Sequence, residues 1–168
     1  MKFEKIAIQK PLCKKEIFHN YYESGSGYHY NIEEEYNSVK KLKFKNKKHE
    51  LNYRFQMKLV PKELRESAEI QAVVYFIALL ECASPGAADY IWKYVERSLL
   101  PGFFDHPDID VVAKSLALHL WEVTYLTFRE DWLKYFWEIS MLALPTILSR
   151  DPYDFLSDLL IHFKSMDK

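Results

Sequence analysis

The sequence predicts an α+β fold, with a small N-terminal antiparallel sheet of three or four strands and a C-terminal bundle or short stack of about five α-helices. Two observations support this prediction. Apolar and polar residues alternate in much of residues 1–60, whereas apolar residues recur every three to four positions in residues 61–168. Charge divides at the same place, because residues 1–60 hold 13 Lys and Arg against 7 Asp and Glu, and residues 61–168 hold 10 against 17. We therefore expect one domain over residues 1–168, with a basic β-rich part followed by an acidic helical part.

The composition is that of a globular protein. Of the 168 residues, 49% are hydrophobic and 28% are charged, which is enough apolar content to bury a core. No run of about 18 apolar residues occurs, and the first ten residues lack the apolar stretch of a signal peptide. We therefore expect a cytoplasmic protein without a membrane segment. The two cysteines, Cys13 and Cys82, are far apart in the sequence and predict free thiols.

The N-terminal strands are predicted from period-two alternation. The clearest strand covers residues 49–59, where every odd position from Leu51 onward is apolar. The polar residues 46–48 that precede it predict a hairpin turn. Further strands are predicted over residues 3–9, 28–33 and 39–45. Together these segments predict an antiparallel sheet with one face in water.

The five helices are predicted from apolar residues at helical spacing and from signals at the helix ends. The first is expected to begin near Pro61 and to end at residues 84–86, and the second covers residues 87–99. The third begins near residue 107 and ends near Thr127. Thr127 with Glu130 has the capping-box pattern, which predicts the start of the fourth helix. Asp151 before Pro152 predicts an N-cap and a first-turn proline for the fifth.

The third predicted helix is apolar nearly all round, so we expect it at the centre of the bundle. Its Trp121 is predicted to be buried between the third and fourth helices, with Phe136 and Leu120 as neighbours. A buried tryptophan of this kind contributes a large part of the stability of a small domain.

Residues 105–110 are the densest group of possible metal ligands, with one histidine among the carboxylates of Asp105, Asp108 and Asp110. The spacing of a calcium loop is missing, because there is no central glycine and no distal glutamate. Acidic residues at the start of a helix satisfy free N–H groups and oppose the positive end of the helix dipole. We therefore predict no metal here, and we predict instead an exposed negative surface that suits a basic partner.

His119 and Glu122 lie three residues apart on one face of the third predicted helix, a spacing that can serve a metal or an acid/base pair. Di-iron bundles require glutamate before histidine, and this order is absent here. The two side chains are therefore expected to hydrogen-bond each other or a tyrosine such as Tyr125 or Tyr90. No G-x-S-x-G elbow and no glycine-rich phosphate loop occurs, so we expect no cofactor and favour a protein that is not an enzyme.

Six lysines fall within the nine residues from Lys40 to Lys48. On a hairpin, Lys43 and Lys45 would lie on the solvent face of a basic ridge that could follow a phosphate backbone. Two structural roles compete with this one, because lysines protect an exposed sheet edge from aggregation and the ridge could pair with the acidic helices of the same molecule. The isoelectric point of about 6.6 argues against a dedicated nucleic-acid binder.

These observations favour a non-enzymatic intracellular protein that binds another protein. A bacterial toxin-neutralising immunity protein is the most concrete candidate, because such proteins are small, cytosolic, aromatic-rich and without catalytic motifs. The predicted contact residues are Asp105, Asp108, Asp110, Tyr28, Tyr30, Lys43 and Lys45. The tyrosines are included because they follow the Gly-Ser turn of residues 24–27, and tyrosine beside a loop is common in binding surfaces. Two alternatives remain: a nucleic-acid-associated regulator that uses the lysine hairpin, and an enzyme with a site near His119 and Glu122.

Overall fold

The computed structural model describes residues 42–166, which form an all-α fold of seven α-helices and two short 3₁₀-helices. The α-helices are α1 (Lys47–Leu59), α2 (Ala68–Ala83), α3 (Ala87–Ser98), α4 (Ile109–Thr127), α5 (Trp132–Ser140), α6 (Leu144–Leu148) and α7 (Pro152–Met166). One 3₁₀-helix (Lys62–Leu64) precedes α2 and the other (Phe103–Asp105) precedes α4. None of the residues in this range forms a β-strand.

The prediction of an α+β fold with an N-terminal sheet is therefore wrong. Helix α1 occupies the segment in which the clearest strand was expected. The expected turn before it is instead a helix start, because the side chain of Asn46 accepts a hydrogen bond from the N–H of His49 at 2.9 Å. Residues 42–45 are also not a strand. The strands predicted over residues 3–9 and 28–33 lie outside the described residues.

Helix α1 buries a stripe of side chains at spacings of four, three and four residues, which is the period of an α-helix. The stripe contains His49, Tyr53, Gln56 and, just after the helix, Val60. Two of these four residues are polar, and each finds a distant partner. The ring nitrogen Nε2 of His49 lies 3.0 Å from the carbonyl oxygen of Tyr75, and Gln56 Oε1 accepts the Trp92 indole N–H at 2.5 Å.

The five predicted helices correspond to α2, α3, α4, α5 and α7, with corrections at their ends, and the short helix α6 was not predicted. Helix α2 begins at Ala68 after Ser67, whose side chain caps it, rather than near Pro61. The predicted capping box at Thr127 is wrong, because Thr127 is the last residue of α4 and its hydroxyl donates to the carbonyl of Val123 at 2.7 Å. The N-cap of α7 is confirmed, since Asp151 Oδ1 accepts from the N–H of Tyr153 at 2.7 Å.

Helix α2, rather than the predicted third helix α4, lies at the centre of the fold formed by residues 42–166. It contacts α1, α3, α4, α5 and α6, and all its residues from 72 to 80 are buried. A helix segment that is apolar on every side requires neighbours on every side, and the five surrounding helices supply them.

The burial of Trp121 is confirmed, because its side chain is only 2% exposed. Its ring stacks on Phe76 of α2 with centroids 5.1 Å apart and lies 6.1 Å from the ring of Phe136 on α5. Phe155 of α7 contacts the same ring at 5.7 Å. Trp121 thus joins four helices in one aromatic core.

Candidate functional site

Four polar side chains form a connected chain across the surface of α3, α4 and α7. We call this chain the Ser98 relay; it consists of Ser98, His119, Glu122 and His162. The hydroxyl oxygen of Ser98 lies 2.6 Å from Nε2 of His119, and Nδ1 of His119 lies 3.2 Å from Oε2 of Glu122. The second carboxylate oxygen of Glu122 is hydrogen-bonded to Nε2 of His162. The relay therefore places a hydroxyl, an imidazole and a carboxylate in series, with a second imidazole behind them.

Local structure positions each member of the relay. His119 and Glu122 are one turn apart on α4, so their side chains meet on one helix face. Ser98 is the last residue of α3. His162 precedes Phe163, whose buried ring stacks on Tyr125 with centroids 4.3 Å apart and fixes α7 beside α4.

The hydrogen-bond partners of His119 determine which of its ring nitrogens carries the proton. A carboxylate only accepts hydrogen bonds, so Nδ1 of His119 carries the proton that faces Glu122. In the neutral ring, Nε2 is then an acceptor and receives the hydroxyl proton of Ser98. The same hydroxyl also lies 2.9 Å from the carbonyl oxygen of Tyr94 and 3.1 Å from that of Val95, which are its alternative acceptors.

The predicted pairing of His119 with Glu122 is confirmed by this geometry. Sequence inspection did not find Ser98 or His162, which lie 21 and 40 residues from their partners. No local motif marks either residue, because the packing of α3 and α7 against α4 brings them to the site.

The acidic residues at 105–110 have a structural role at the start of α4. Asp108 is the N-cap, and its Oδ1 accepts the N–H of Asp110 at 3.0 Å. The N–H of Asp108 donates to Nδ1 of His106 at 3.0 Å. Across residues 42–166, no group of three or more His, Cys, Asp or Glu side chains is arranged to hold a metal ion.

The same residues also belong to an exposed surface. We call residues 99–111 the acidic segment, because it contains Asp105, Asp108 and Asp110 and no Lys or Arg. All three aspartates are exposed. Leu100, Ile109 and Val111 are also 77%, 47% and 44% exposed. The acidic segment therefore combines carboxylates with apolar side chains in water.

The predicted lysine hairpin is wrong within the described residues, because Lys47 and Lys48 lie in the first turn of α1. Lys43 and Lys45 are exposed. Nζ of Lys45 lies 3.3 Å from Oε2 of Glu138 on α5, so this lysine pairs with a carboxylate of its own molecule. Tyr28 and Tyr30, which were predicted to contact a partner, lie outside the described residues.

His49 is a buried titratable residue that sequence inspection did not single out. Its Nδ1 accepts the N–H of Lys45 at 3.1 Å, and its Nε2 proton is directed at the carbonyl of Tyr75. Burial lowers the pKa of His49; the Tyr75 hydrogen bond opposes this effect, and the charge of Lys45 adds to it. The neutral form of the ring is therefore favoured among the aromatic rings of Phe44, Tyr53 and Tyr75.

Comparisons with known protein families, curated proteins and solved structures gave no match to this chain. From residue 42 to residue 166, no helix combines the length and the apolar character that crossing a membrane requires.

Proposed function

We propose that this chain is an intracellular, non-enzymatic protein that binds another protein, and that the acidic segment is its contact surface for a basic partner. The supporting observation is the coincidence of three exposed aspartates with three exposed aliphatic side chains in residues 99–111. Apolar side chains in water gain free energy when a partner covers them, and carboxylates around them select a partner of opposite charge.

The acidic segment is held in place before any partner binds. Asp108 makes two hydrogen bonds at the start of α4. The rings of Phe103 and Phe104 pack edge to face with centroids 5.0 Å apart and lie against the core. A fixed surface loses little conformational entropy on binding, which favours affinity.

The partner class that suits this surface is a protein with a cluster of Lys and Arg side chains. Domains that bind or cleave nucleic acid carry such clusters, because they must contact phosphates. A bacterial toxin-neutralising immunity protein that blocks a basic toxin domain is therefore the most concrete form of this proposal. The carboxylates of the acidic segment would occupy the positions of phosphate groups on the toxin.

The test removes the three charges of the acidic segment while keeping the helix cap. The variant carries Asp105→Asn, Asp108→Ser and Asp110→Asn, and the serine hydroxyl introduced at the N-cap supplies an oxygen that can still cap α4. A partner captured from cells that express the parent chain is purified, and its association rate is measured at several salt concentrations. We expect the association rate to fall at least about tenfold in the variant at low salt, and to depend less on salt.

A matched control removes three charges from the starts of two other helices. It carries Asp131→Asn, Asp151→Ser and Asp154→Asn, all at exposed positions. Because the net charge changes equally, this control should associate like the parent. Equal slowing of both variants, or no captured basic protein, would show that the acidic segment is not the contact surface.

A further inference from the structure

We propose that Ser98 is a base-activated hydroxyl that accepts an acyl group from activated esters, with His119 as its proton acceptor. This site is separate from the acidic segment, and its reaction needs no protein partner. The geometry is that of a nucleophile, a base and an orienting acid in series, with Ser98 to His119 at 2.6 Å and His119 to Glu122 at 3.2 Å. Ser98 is exposed, so a small ester can reach it.

The proposed reaction is one acyl transfer. A lone pair of Ser98 Oγ forms a bond to the carbonyl carbon of the ester while the hydroxyl proton moves to Nε2 of His119. The bond between that carbon and the leaving oxygen then breaks, and the leaving group takes the bonding electrons. His119 returns its proton to the leaving oxygen, so the products are O-acyl Ser98 and an alcohol or phenol.

The surroundings of His119 favour the positive charge that forms during this step. Glu122 accepts the Nδ1 proton and stabilises the imidazolium ion. Ser98 ends α3, so the partial negative charge of that helix terminus also faces the imidazolium. His162 is a positioning residue, because it holds the other oxygen of Glu122 and contacts the serine only through two intermediates.

The same helix terminus limits the substrate class. Stabilising the negative oxygen of a tetrahedral intermediate requires free N–H donors near the nucleophile. The N–H of Leu99, next to Ser98, is already bonded to the carbonyl of Val95 at 3.1 Å. The negative end of α3 also disfavours charge on that oxygen. The site therefore suits esters or thioesters with good leaving groups, and it does not suit amides.

The test incubates the full chain with p-nitrophenyl acetate and locates the acetyl group by peptide mass analysis. We expect acetylation at Ser98. His119→Gln should slow this acetylation about 100-fold or more, which is the lower range of general-base catalysis. Ser98→Ala should abolish it. Thermal melting of each variant checks that the fold persists.

Ser115→Ala is the matched control, because Ser115 is an exposed serine one turn before His119 on α4. This change should leave the rate at Ser98 unaltered. His162→Gln should reduce the rate by less than His119→Gln does, as expected of a positioning residue that does not itself accept the serine proton. Acetylation confined to lysines, or a Ser98 rate that is equal in parent and His119→Gln, would overturn the proposal.

Discussion

Two neighbouring residues of α2, Tyr75 and Phe76, are both fully buried and belong to two different aromatic clusters. The His49 cluster consists of Phe44, His49, Tyr53 and Tyr75. The Trp121 cluster consists of Phe76, Trp121, Trp132, Phe136 and Phe155. Both clusters fill the space around the central helix with stacked and edge-to-face rings.

The clusters differ in how they use polar atoms. The rings of the Trp121 cluster contain no group that titrates near neutral pH, and the indole N–H of Trp132 is satisfied by the hydroxyl of Thr124 at 3.0 Å. The His49 cluster contains an imidazole and a phenol. Burial raises the pKa of Tyr75, whose hydroxyl donates to the carbonyl of Lys43. Two clusters packed on the same helix thus differ, because one resists changes in pH and the other responds to them.

The largest expected effect comes from Trp121→Ala. Removing this ring from a core of four helices should lower the free energy of unfolding by about 3 to 5 kcal/mol. Chemical denaturation at pH 5.5 and 7.5 should show the same loss at both values, because the rings of the Trp121 cluster do not titrate. Trp137→Ala, which removes a half-buried ring 5.2 Å from Tyr153, should be less harmful. Similar losses in the two variants would contradict the central role of Trp121.

An intermediate effect is expected from pH, through His49. Its pKa is lowered in the folded protein, so between that value and 6.5 the unfolded chain binds a proton that the folded chain does not. Stability is therefore complete above about pH 6.5 and falls as pH decreases, by at most about 1.4 kcal/mol per pH unit from this residue. Protonation also turns Nδ1 from an acceptor into a donor, which breaks the bond from the N–H of Lys45.

Denaturation curves from pH 5 to 8 measure this effect. The non-titrating variant His49→Gln should be less stable at pH 8 and should lose less additional stability on acidification than the parent. His106→Gln is the control, because it removes an exposed histidine and retains His49. A parent and a His49→Gln variant with parallel pH curves would show that the His49 cluster is no more sensitive to pH than the Trp121 cluster.

The smallest effect is expected from the pair of Lys45 and Glu138, which are 50% and 32% exposed. A double-mutant cycle with Lys45→Gln and Glu138→Gln should give a coupling energy of about 0.2 to 1 kcal/mol that decreases with salt. Lys45→Gln should also make stability fall less steeply as pH decreases, because the lysine charge helps to lower the pKa of His49. A coupling of several kcal/mol would mean that the ion pair, and not the aromatic rings, holds residues 42–46 against the core.

Helix α1 shows why part of the fold could not be predicted from the sequence. Its buried stripe contains His49 and Gln56. A pattern that divides residues only into apolar and polar treats both as polar and predicts them to be exposed. With these two positions removed, the remaining apolar residues alternate and favour a strand. The carbonyl of Tyr75 and the indole of Trp92 satisfy the polar groups, but neither partner is visible in the local sequence. Asn46 was the available helix signal, because it is a favoured N-cap residue.

Some residues of the candidate sites can likewise be predicted from local sequence, whereas others depend on contacts between distant segments. The pairing of His119 with Glu122 and the capping role of Asp108 follow from spacing within one helix, so the sequence could predict them. Ser98 and His162 reach the relay through tertiary packing, and the spacing of residues along the chain does not predict that packing. Whether the acidic segment or the predicted lysines contact a partner depends on a second molecule, so it stays a prediction.

The complete burial of residues 72–80 of α2 has a consequence for the unfolded chain. Residues 72–80 contain no charged residue, no proline and no glycine, and they are rich in β-branched and aromatic side chains. Such a segment associates readily into intermolecular β-structure once it is exposed. Unfolded molecules should therefore aggregate faster than they refold at high concentration, and the working lifetime of the protein is then set by its rate of unfolding. The helix that every neighbour protects in the native state is the segment that makes denaturation hard to reverse.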